Sequence, residues 1–418
     1  MINNIKKYVL KNPVIKSIYN RFQELDFDKA YINRRERYLN EVKSDHSADD
    51  QNSHILRANS KVSARGYSVT PKVLGEIHTF AYIPSNWSHQ NQIFSACNVF
   101  GKTSRFDYFD IGIRLPDLTR DYEKNRDRAL RKFVGQEFYK RVMDAHTKVP
   151  IDWIFSYALP WDICPDAIVK IKEELGIPIV NISLDDKNWW DAIHRRDLTS
   201  GLKELVSYYD LTWTSSSSVL PWHWAEGGQA YYLPEGVNSN YFRPLPNVEK
   251  SIDVGFVGSN FGYRDEIMAV LRKANINVVC RGAGWPSGAL NDADMLKFFN
   301  QSKINLGLGE MSYSRSLTNL KGRDFEIPSV GNGLYLTSFN YDLASCFSIG
   351  KEIICYRSID DMIEQIRRYL RNEEQIGAMV SAARRRCIAE HQWSHRISAV
   401  LGALGIYRPN GDDLNISF

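Results

Sequence analysis

Short apolar runs alternate with amphipathic stretches along most of this chain. The runs predict buried strands, and the stretches between them place apolar side chains at helical spacing. Strands that alternate with helices are typical of a mostly parallel sheet with helices on both of its faces. We therefore predict an α/β protein whose strands fall at residues 76–84, 151–157, 177–184, 211–215, 230–233, 251–257, 277–281, 303–308, 334–336 and 352–356. The helices expected between these strands include 166–175 and 202–209.

The length of the chain predicts two domains. A chain of 418 residues exceeds what one hydrophobic core usually supports. The polar stretch 245–251 separates two series of strands and helices, so we expect two Rossmann-like domains facing a cleft, where a ligand is usually found. The expected division is a helical lead and linker at 1–70, a first domain at 71–244, a second domain at 245–395, and a tail at 396–418 that packs back on the first domain.

The composition argues against several classes of protein. The net charge of +4 is mild and the arginines at 384–386 have no aromatic residue among them, so nucleic acid is not an expected partner. The six cysteines are scattered without zinc-site spacing, which indicates reduced thiols and no metal. No apolar stretch reaches membrane-spanning length and no signal-peptide pattern opens the chain. We expect a cytoplasmic protein that needs no cofactor.

The N-terminal lead allows two interpretations. Residues 2–22 carry apolar side chains at roughly helical spacing with lysines and arginines between them, and Pro13 interrupts the pattern. Such a helix is suited to lie on the inner face of an anionic membrane, and it is also suited to pack on the protein's own body. Residues 44–70 are polar and mostly aperiodic, so we expect a linker or a loosely held loop there.

The run NLKGRDFEIPSVGNGLYLT at 319–337 combines charge, turn residues and an apolar end. A proline and two glycines punctuate it, which predicts a short helix that leads into a buried strand. Asn319, Arg323 and Glu326 are spaced so that a helix would place them on one face. Lys321 and Arg323 at the helix start would favour an anion, and Glu326 would accept hydrogen bonds from sugar hydroxyls. The alternative is a surface helix in which Arg323 and Glu326 pair with each other.

Two polar loops follow predicted strands of the first domain. His89 lies in the loop after the strand at 76–84, and Asp185 and Asp186 follow the strand at 177–184. Because ligands gather at the carboxyl ends of parallel strands, these side chains are our candidates for a catalytic base that deprotonates an acceptor hydroxyl. The alternatives are that Asp186 caps the next helix and that His89 is an ordinary loop residue.

Two turns of the second domain are candidates for binding a phosphorylated ligand. Gly258 and Ser259 follow the strand at 251–257 and lead to Arg264, where a helix is expected to begin. Small residues allow the backbone N–H groups of such a turn to approach a phosphate closely. Gly284 and Trp285 occupy the turn after the next strand. The pattern is not GxGxxG, so an ordinary strand-to-helix turn is the alternative.

Five segments in the second half of the chain carry a family resemblance. They are LKGRDFEIPSVGNGLYLTS, GKEIICYRSIDDMIEQIRRYLRNEEQIGAMVSAARRRC and AEHQWSHR, with SIDVGFVGSNFGYRDEI and CRGAGW. This part of the chain resembles the CgeB-like (spore-maturation-type) glycosyltransferases, and the resemblance extends to the N-terminal half only in architecture. It implies the GT-B fold, with a nucleotide-sugar donor held by the second domain, the acceptor held by the first, and no metal requirement.

The same resemblance implies roles for single residues. Glu326 would bind the donor's ribose, the turn at 282–285 would lie near the base, and the diphosphate would face Arg264, Lys321 and Arg323. Related retaining glycosyltransferases often carry two glutamates separated by seven residues, but Thr318 stands where the first is expected. Glu310 is a candidate substitute, and the stereochemical course stays open.

These observations leave three hypotheses for function. The first is a glycosyltransferase that moves a sugar from a UDP- or GDP-sugar to a glycan or lipid-linked glycan in bacterial surface polysaccharide synthesis. The second is a nucleotide-sugar epimerase, which would need acid and base groups on both sides of the sugar and no acceptor. The third is a non-catalytic glycan-binding subunit with the same fold, for which Thr318 is the warning sign.

Overall fold

The chain folds into two compact units. The computed structural model describes residues 13–45, 50–85, 87–112, 128–191, 201–311, 314–372 and 374–409. We use "first domain" for the unit made of Arg35–Pro234 and Trp393–Phe418, and "second domain" for the unit made of Met1–Arg34 and Glu235–Gln392. Over these described ranges each unit contains one parallel sheet, which confirms the α/β fold class expected from the alternating pattern.

Two helices precede the first strand in the described part of the chain. Helix α1 spans Pro13–Asp45 and helix α2 spans Gln51–Ala64. Asp50 caps α2, because its carboxylate accepts a hydrogen bond from the Ser53 amide at 2.9 Å. The expectation of a linker or loose loop at 44–70 is therefore wrong over Gln51–Ala64. The stretch has a cap and a buried face spaced four residues apart, formed by His54, Ala58 and Val62.

The sheet of the first domain has the strand order β2-β1-β3-β4-β5-β6. Alternate strand residues face opposite sides of the sheet, so Ala81 joins one hydrophobic cluster while Phe80 and Tyr82 join another. Its strands are β1 Thr79–Tyr82, β2 Thr103–Phe106, β3 Trp153–Ser156, β4 Ile179–Ser183, β5 Leu211–Thr214 and β6 Ala230–Tyr232. Its later helices are α3 Gln90–Val99, α4 Arg128–Lys148, α5 Asp166–Leu175, α6 Asp186–Trp189, α7 Leu220–Ala225 and α14 Trp393–Ala403.

The sheet of the second domain has the strand order β11-β10-β9-β7-β8. All of its described pairings are parallel. Its strands are β7 Ile252–Val257, β8 Val278–Arg281, β9 Ser302–Leu306, β10 Leu334–Ser338 and β11 Ile354–Tyr356. Its helices are α8 Arg264–Lys273, α9 Asp292–Gln301, α10 Arg323–Val330, α11 Tyr341–Cys346, α12 Ile359–Arg371 and α13 Glu374–Glu390.

Both sheets contain a point where the strand order reverses. In the first domain the reversal lies between β1 and β3, and in the second domain it lies between β7 and β9. At such a point the loops after two neighbouring strands diverge and leave a crevice that binds ligands in open α/β sheets. The topology therefore directs attention to the loops after β1 and β3 and to those after β7 and β9.

Two further properties concern the whole described chain. Within the described ranges, no helix combines the length and the apolar character that crossing a bilayer would require. All six cysteines are free thiols.

Candidate functional site

Arg264 joins the two loops that diverge at the strand-order reversal of the second domain. Its Nη1 donates to the Ser259 carbonyl at 2.8 Å, after β7, and its Nη2 donates to the Leu308 carbonyl at 3.2 Å, after β9. Its guanidinium lies 4.1 Å from the ring centroid of Phe261. Burial lowers the pKa of Arg264 to about 10, against the opposing effect of Glu310. A cation is thus fixed at the position where the fold is expected to bind a ligand.

The turns after β7 and β8 pack so closely that glycine is required. Gly282 has a φ of +135°, and a Cβ there would lie 2.3 Å from the carbonyl oxygen of Gly258. The indole Nε1 of Trp285 donates to that same carbonyl at 2.7 Å. Trp285 is buried, and Gly284 has a φ of +82°. Trp285 therefore braces the turn that contains Gly258 and Ser259.

Glu310 places a carboxylate beside Arg264. The Tyr356 hydroxyl donates to its Oε1 at 3.3 Å, while its buried Oε2 has no hydrogen-bond partner in the described part of the chain. Burial raises the pKa of Glu310, and both Tyr356 and Arg264 act in the opposite direction. Glu310 also lies across an antiparallel bridge from Thr318, the residue that stands in place of the expected glutamate. The structure therefore places Glu310, the candidate substitute, next to the position at which the first glutamate was expected.

A cavity of about 270 Å³ opens beside these groups within the second domain. Three arginines line it together with Glu266 and Glu310, and apolar side chains of α8 and α12 complete its wall. The three arginines are Arg264, Arg315 and Arg357. A mixed apolar and cationic pocket of this kind suits a ligand that carries both a ring and negative charge.

The helix predicted within residues 319–337 spans Arg323–Val330, so it begins later than the pattern suggested. Asn319 precedes α10, and the expectation that it shares a helix face with Arg323 and Glu326 is wrong. Arg323 forms an ion pair with the buried carboxylate of Glu326, as the alternative interpretation held. That interpretation is wrong in expecting a surface helix, because Asp324 to Val330 are all buried. Burial lowers the pKa of Arg323 to about 10. The pair orients Glu326 at the start of the helix.

Asp324 was missed by the sequence reasoning although it is central to this helix start. The Tyr335 hydroxyl donates to its Oδ1 at 2.7 Å, and the backbone N–H of Lys321 donates to its Oδ2 at 2.7 Å. Burial raises the pKa of Asp324 to about 6. The backbone N–H of Asn319 donates to the Gly309 carbonyl at 3.1 Å. These bonds fix the segment that carries Asn319 and Lys321 against the loop after β9.

Asp186 is buried in a hydrogen-bonded network of the first domain. Its Oδ1 accepts from the Ser183 hydroxyl at 2.5 Å, its Oδ2 accepts from the Thr214 hydroxyl at 2.6 Å, and it lies 3.1 Å from His223 Nε2. Burial alone would raise the pKa of Asp186, but His223 and the two hydroxyls outweigh it and lower that pKa. The carboxylate of Asp186 is thus held by side chains from two strands, β4 and β5, and from helix α7. Asp185 is only partly buried.

His89 lies in an aromatic environment after β1. Its ring centroid is 5.7 Å from that of Trp87 and 5.6 Å from that of Trp393 in α14. Trp87 in turn stacks on Tyr157 at 4.1 Å, which joins the loops after β1 and β3. His89 is therefore at the strand-order reversal of the first domain, while Asp185 and Asp186 follow β4, further along the sheet.

Asp162, in the loop after β3, is the second residue that sequence reasoning missed. Its Oδ2 accepts from the Leu159 amide at 3.1 Å, and its buried Oδ1 has no partner within the described ranges. The Tyr82 hydroxyl, at the end of β1, is likewise buried and unpartnered there. Burial raises the pKa of Asp162 to about 7, against the opposing effect of Arg131. In the sequence, the one sign that pointed to Asp162 was its position after a predicted strand.

Residues 264–402 match a family described as glycosyl transferase-like. The match covers about a third of the chain and includes α8 to α13 and most of α14. The segment therefore carries a glycosyltransferase-like domain. No curated protein sequence is significantly similar to the chain.

Solved structures share the fold across most of the chain at low identity. Sucrose-phosphate synthase from Thermosynechococcus elongatus has a TM-score of 0.50 at 13% identity, covering 86% of this chain and 94% of that one. A glycosyltransferase from Rickettsia africae has a TM-score of 0.51 at 11% identity, covering 78% and 97%. HepE from Anabaena, solved with UDP and glucose, has a TM-score of 0.50 at 10% identity, covering 78% and 99%. The chain therefore has the GT-B type of fold, with two parallel-sheet α/β domains.

Proposed function

We propose that the protein is a glycosyltransferase that uses a nucleotide diphosphate-sugar, UDP- or GDP-linked, as donor. The observation that carries the proposal is Arg264, which is held by one carbonyl from each loop at the strand-order reversal of the second domain. The glycosyltransferase-like match of residues 264–402 supports the reaction class. The resemblance to the CgeB-like family supports a hexosyltransferase of bacterial surface glycan synthesis.

The donor half of the reaction must stabilise a departing nucleoside diphosphate. Fixed cations do this well, because they need not reorganise when negative charge develops. We assign this role to Arg264, with Lys321 and Arg323 at the start of α10. Glu326, oriented by Arg323, would accept hydrogen bonds from the ribose hydroxyls. The Gly258–Ser259 turn and the Gly284–Trp285 turn would contact the phosphate and the base.

The acceptor half of the reaction would use the first domain. If the reaction inverts configuration, a base must take the proton of the acceptor hydroxyl. We assign this role to His89 or Asp185, because Ser183, Thr214 and His223 already occupy the carboxylate of Asp186. Asp186 then acts as a positioning residue that fixes the loop after β4. If the reaction retains configuration, the diphosphate itself can take the proton. A glycan or a lipid-linked glycan is the proposed acceptor.

The proposal assigns charge stabilisation to side chains and a helix start, without a metal ion. Within the described ranges, no group of three or more His, Cys, Asp or Glu side chains is placed to hold a metal ion. The test is addition of EDTA to a turnover assay, with the same rate expected before and after. A loss of turnover that Mg²⁺ or Mn²⁺ restores would refute this part of the proposal.

The reaction class is tested by incubating the protein with a panel of UDP- and GDP-sugars. The nucleoside diphosphate released from each donor is measured with and without candidate glycan acceptors. We expect slow release from one donor alone, through transfer to water, and faster release with a matching acceptor. A change in the donor sugar without release of nucleotide would instead support the epimerase, and failure of every donor to bind would support a glycan-binding subunit.

A further inference from the structure

Helix α1 exposes five large apolar side chains along one face. This set, which we call the α1 stripe, has spacings of three, four, three and seven residues, which keep its members on one side of a helix. Their exposed fractions are 42%, 53%, 63%, 50% and 51%, for Ile15, Ile18, Phe22, Leu25 and Ile32 respectively. Singly exposed apolar residues are normal, but a row of five on one face marks an interaction surface.

The opposite side of the same helix is fixed to the second domain. The Asn20 side chain donates to the Gly262 carbonyl at 3.1 Å, and the Tyr263 hydroxyl donates to Glu24 at 2.8 Å. The backbone N–H of Arg315 also donates to Glu24, at 3.1 Å. At 100° per residue, Asn20 and Glu24 lie on the side of the helix away from Ile18 and Phe22. These polar contacts hold the α1 stripe outward.

The N-terminal part of the sequence, which includes the α1 stripe, carries an excess of positive charge. Residues 1–35 contain eight lysines and arginines against three carboxylates, whereas the whole chain carries a net charge of +4. The excess positive charge is thus concentrated in the segment that carries the stripe. Lys29 is exposed, and so is Arg21, which forms an ion pair with Glu24. Asp26 is an exposed carboxylate on the same part of the helix. An apolar row with cations beside it is the pattern of helices that lie in the surface of an anionic bilayer.

We propose that the α1 stripe docks on an anionic membrane surface, with α1 lying in the plane of the headgroups. Lys29 decides between this partner and a second copy of the chain. It lies within the stripe, between Leu25 and Ile32 along the helix, and it is exposed. A paired helix would bury its ammonium group against apolar side chains, which is costly. In a bilayer surface its long side chain reaches the phosphate headgroups while the neighbouring apolar groups insert.

The test is flotation of the full-length protein with lipid vesicles. Vesicles of phosphatidylglycerol and phosphatidylcholine are compared with vesicles of phosphatidylcholine alone, at low and at physiological salt. The variant Ile18→Glu/Phe22→Glu puts two carboxylates into the stripe. The matched control is Leu56→Glu, which alters a residue of α2 that is 66% exposed. Thermal melting of all three proteins checks that each is folded, since the exchanged side chains are exposed.

We expect the native protein and Leu56→Glu to float with anionic vesicles, more weakly as salt rises, and the stripe variant to bind at least about tenfold more weakly. Equal binding by the folded stripe variant and the native protein would overturn the proposal. A second result would also overturn it: the native protein binds no vesicles, and the stripe substitution lowers its mass in light scattering to that of a monomer. The stripe would then be a contact between copies of the chain. Nucleotide does not enter the experiment, so its outcome is independent of the proposed reaction.

Discussion

The buried carboxyl of Asp162 makes the stability of the first domain depend on pH. Burial raises the pKa of this group from its ordinary 3.8 to about 7. The folded protein therefore keeps a proton that the unfolded chain releases near pH 4. The contribution of Asp162 to stability is full below about pH 4 and is lost as the pH rises to about 7. A shift of roughly three pKa units corresponds to a loss of about 4 kcal/mol.

The substitution Asp162→Asn removes the titration and keeps the local geometry. The amide oxygen can still accept from the Leu159 N–H, which now donates to Asp162 Oδ2 at 3.1 Å. The amide –NH₂ group can face the buried Tyr82 hydroxyl, which has no partner within the described ranges. We expect the variant to match the native protein near pH 4 and to exceed its unfolding free energy by up to about 4 kcal/mol at pH 8.

The assay is urea unfolding followed by tryptophan fluorescence at several pH values. The control is Asp144→Asn, which makes the same chemical change at an exposed position of α4. We expect the control to follow the native pH dependence closely. The reasoning would be refuted if the unfolding free energies of the native protein and Asp162→Asn changed with pH in the same way. Asp162 would then have the same pKa in the folded and unfolded chain.

Three further predictions concern the second domain. Glu24→Ala leaves the Tyr263 hydroxyl and the Arg315 N–H without their acceptor, so urea unfolding should show a loss of about 1–3 kcal/mol; an unchanged midpoint would contradict the bonds described. Gly282→Ala forces a Cβ to within 2.3 Å of the Gly258 carbonyl oxygen, so the melting temperature should fall by several degrees. Gly377→Ala, at an open position, should not lower the melting temperature. Glu310 has a raised pKa and lines the same cavity as Arg264, so UDP or GDP should bind more tightly as the pH falls and Glu310 gains its proton. Glu310→Gln should bind tightly at all pH values; a native-like pH dependence in that variant would assign the titration to another group.

Local sequence signals predicted the strands and most helices well. The helix expected at 166–175 is found as Asp166–Leu175, because its apolar residues recur at helical spacing between clear boundaries. The helix expected at 202–209 is only a 3₁₀ turn over Leu202–Glu204. Helix α2 was missed because its buried face is small and partly polar, with His54 and Ala58 among its members. Periodicity is a strong signal only where the buried face is mostly apolar.

The candidate site was less predictable than the fold, because its chemistry depends on contacts between distant segments. The sequence placed Arg264 after a turn, but the bond to the Leu308 carbonyl depends on two strands becoming neighbours. The pKa of Asp162 is raised by burial, and the adjacent Ile163 shares a hydrophobic cluster with Phe80 and Tyr82 of β1, far away in sequence. The Arg323–Glu326 pair was foreseeable from spacing alone, and it was one of the two interpretations.

The central claim is that Arg264 binds the diphosphate of a nucleotide, and calorimetric titration with UDP and GDP tests it most directly. The variants are Arg264→Ala and, as matched control, Arg272→Ala, an exposed arginine of the same helix. Loss of a charge-assisted bond of about 1.5–3 kcal/mol predicts binding at least roughly tenfold weaker for Arg264→Ala and unchanged for Arg272→Ala. A native protein that binds neither nucleotide, or two variants that bind as tightly as the native protein, would contradict the claim.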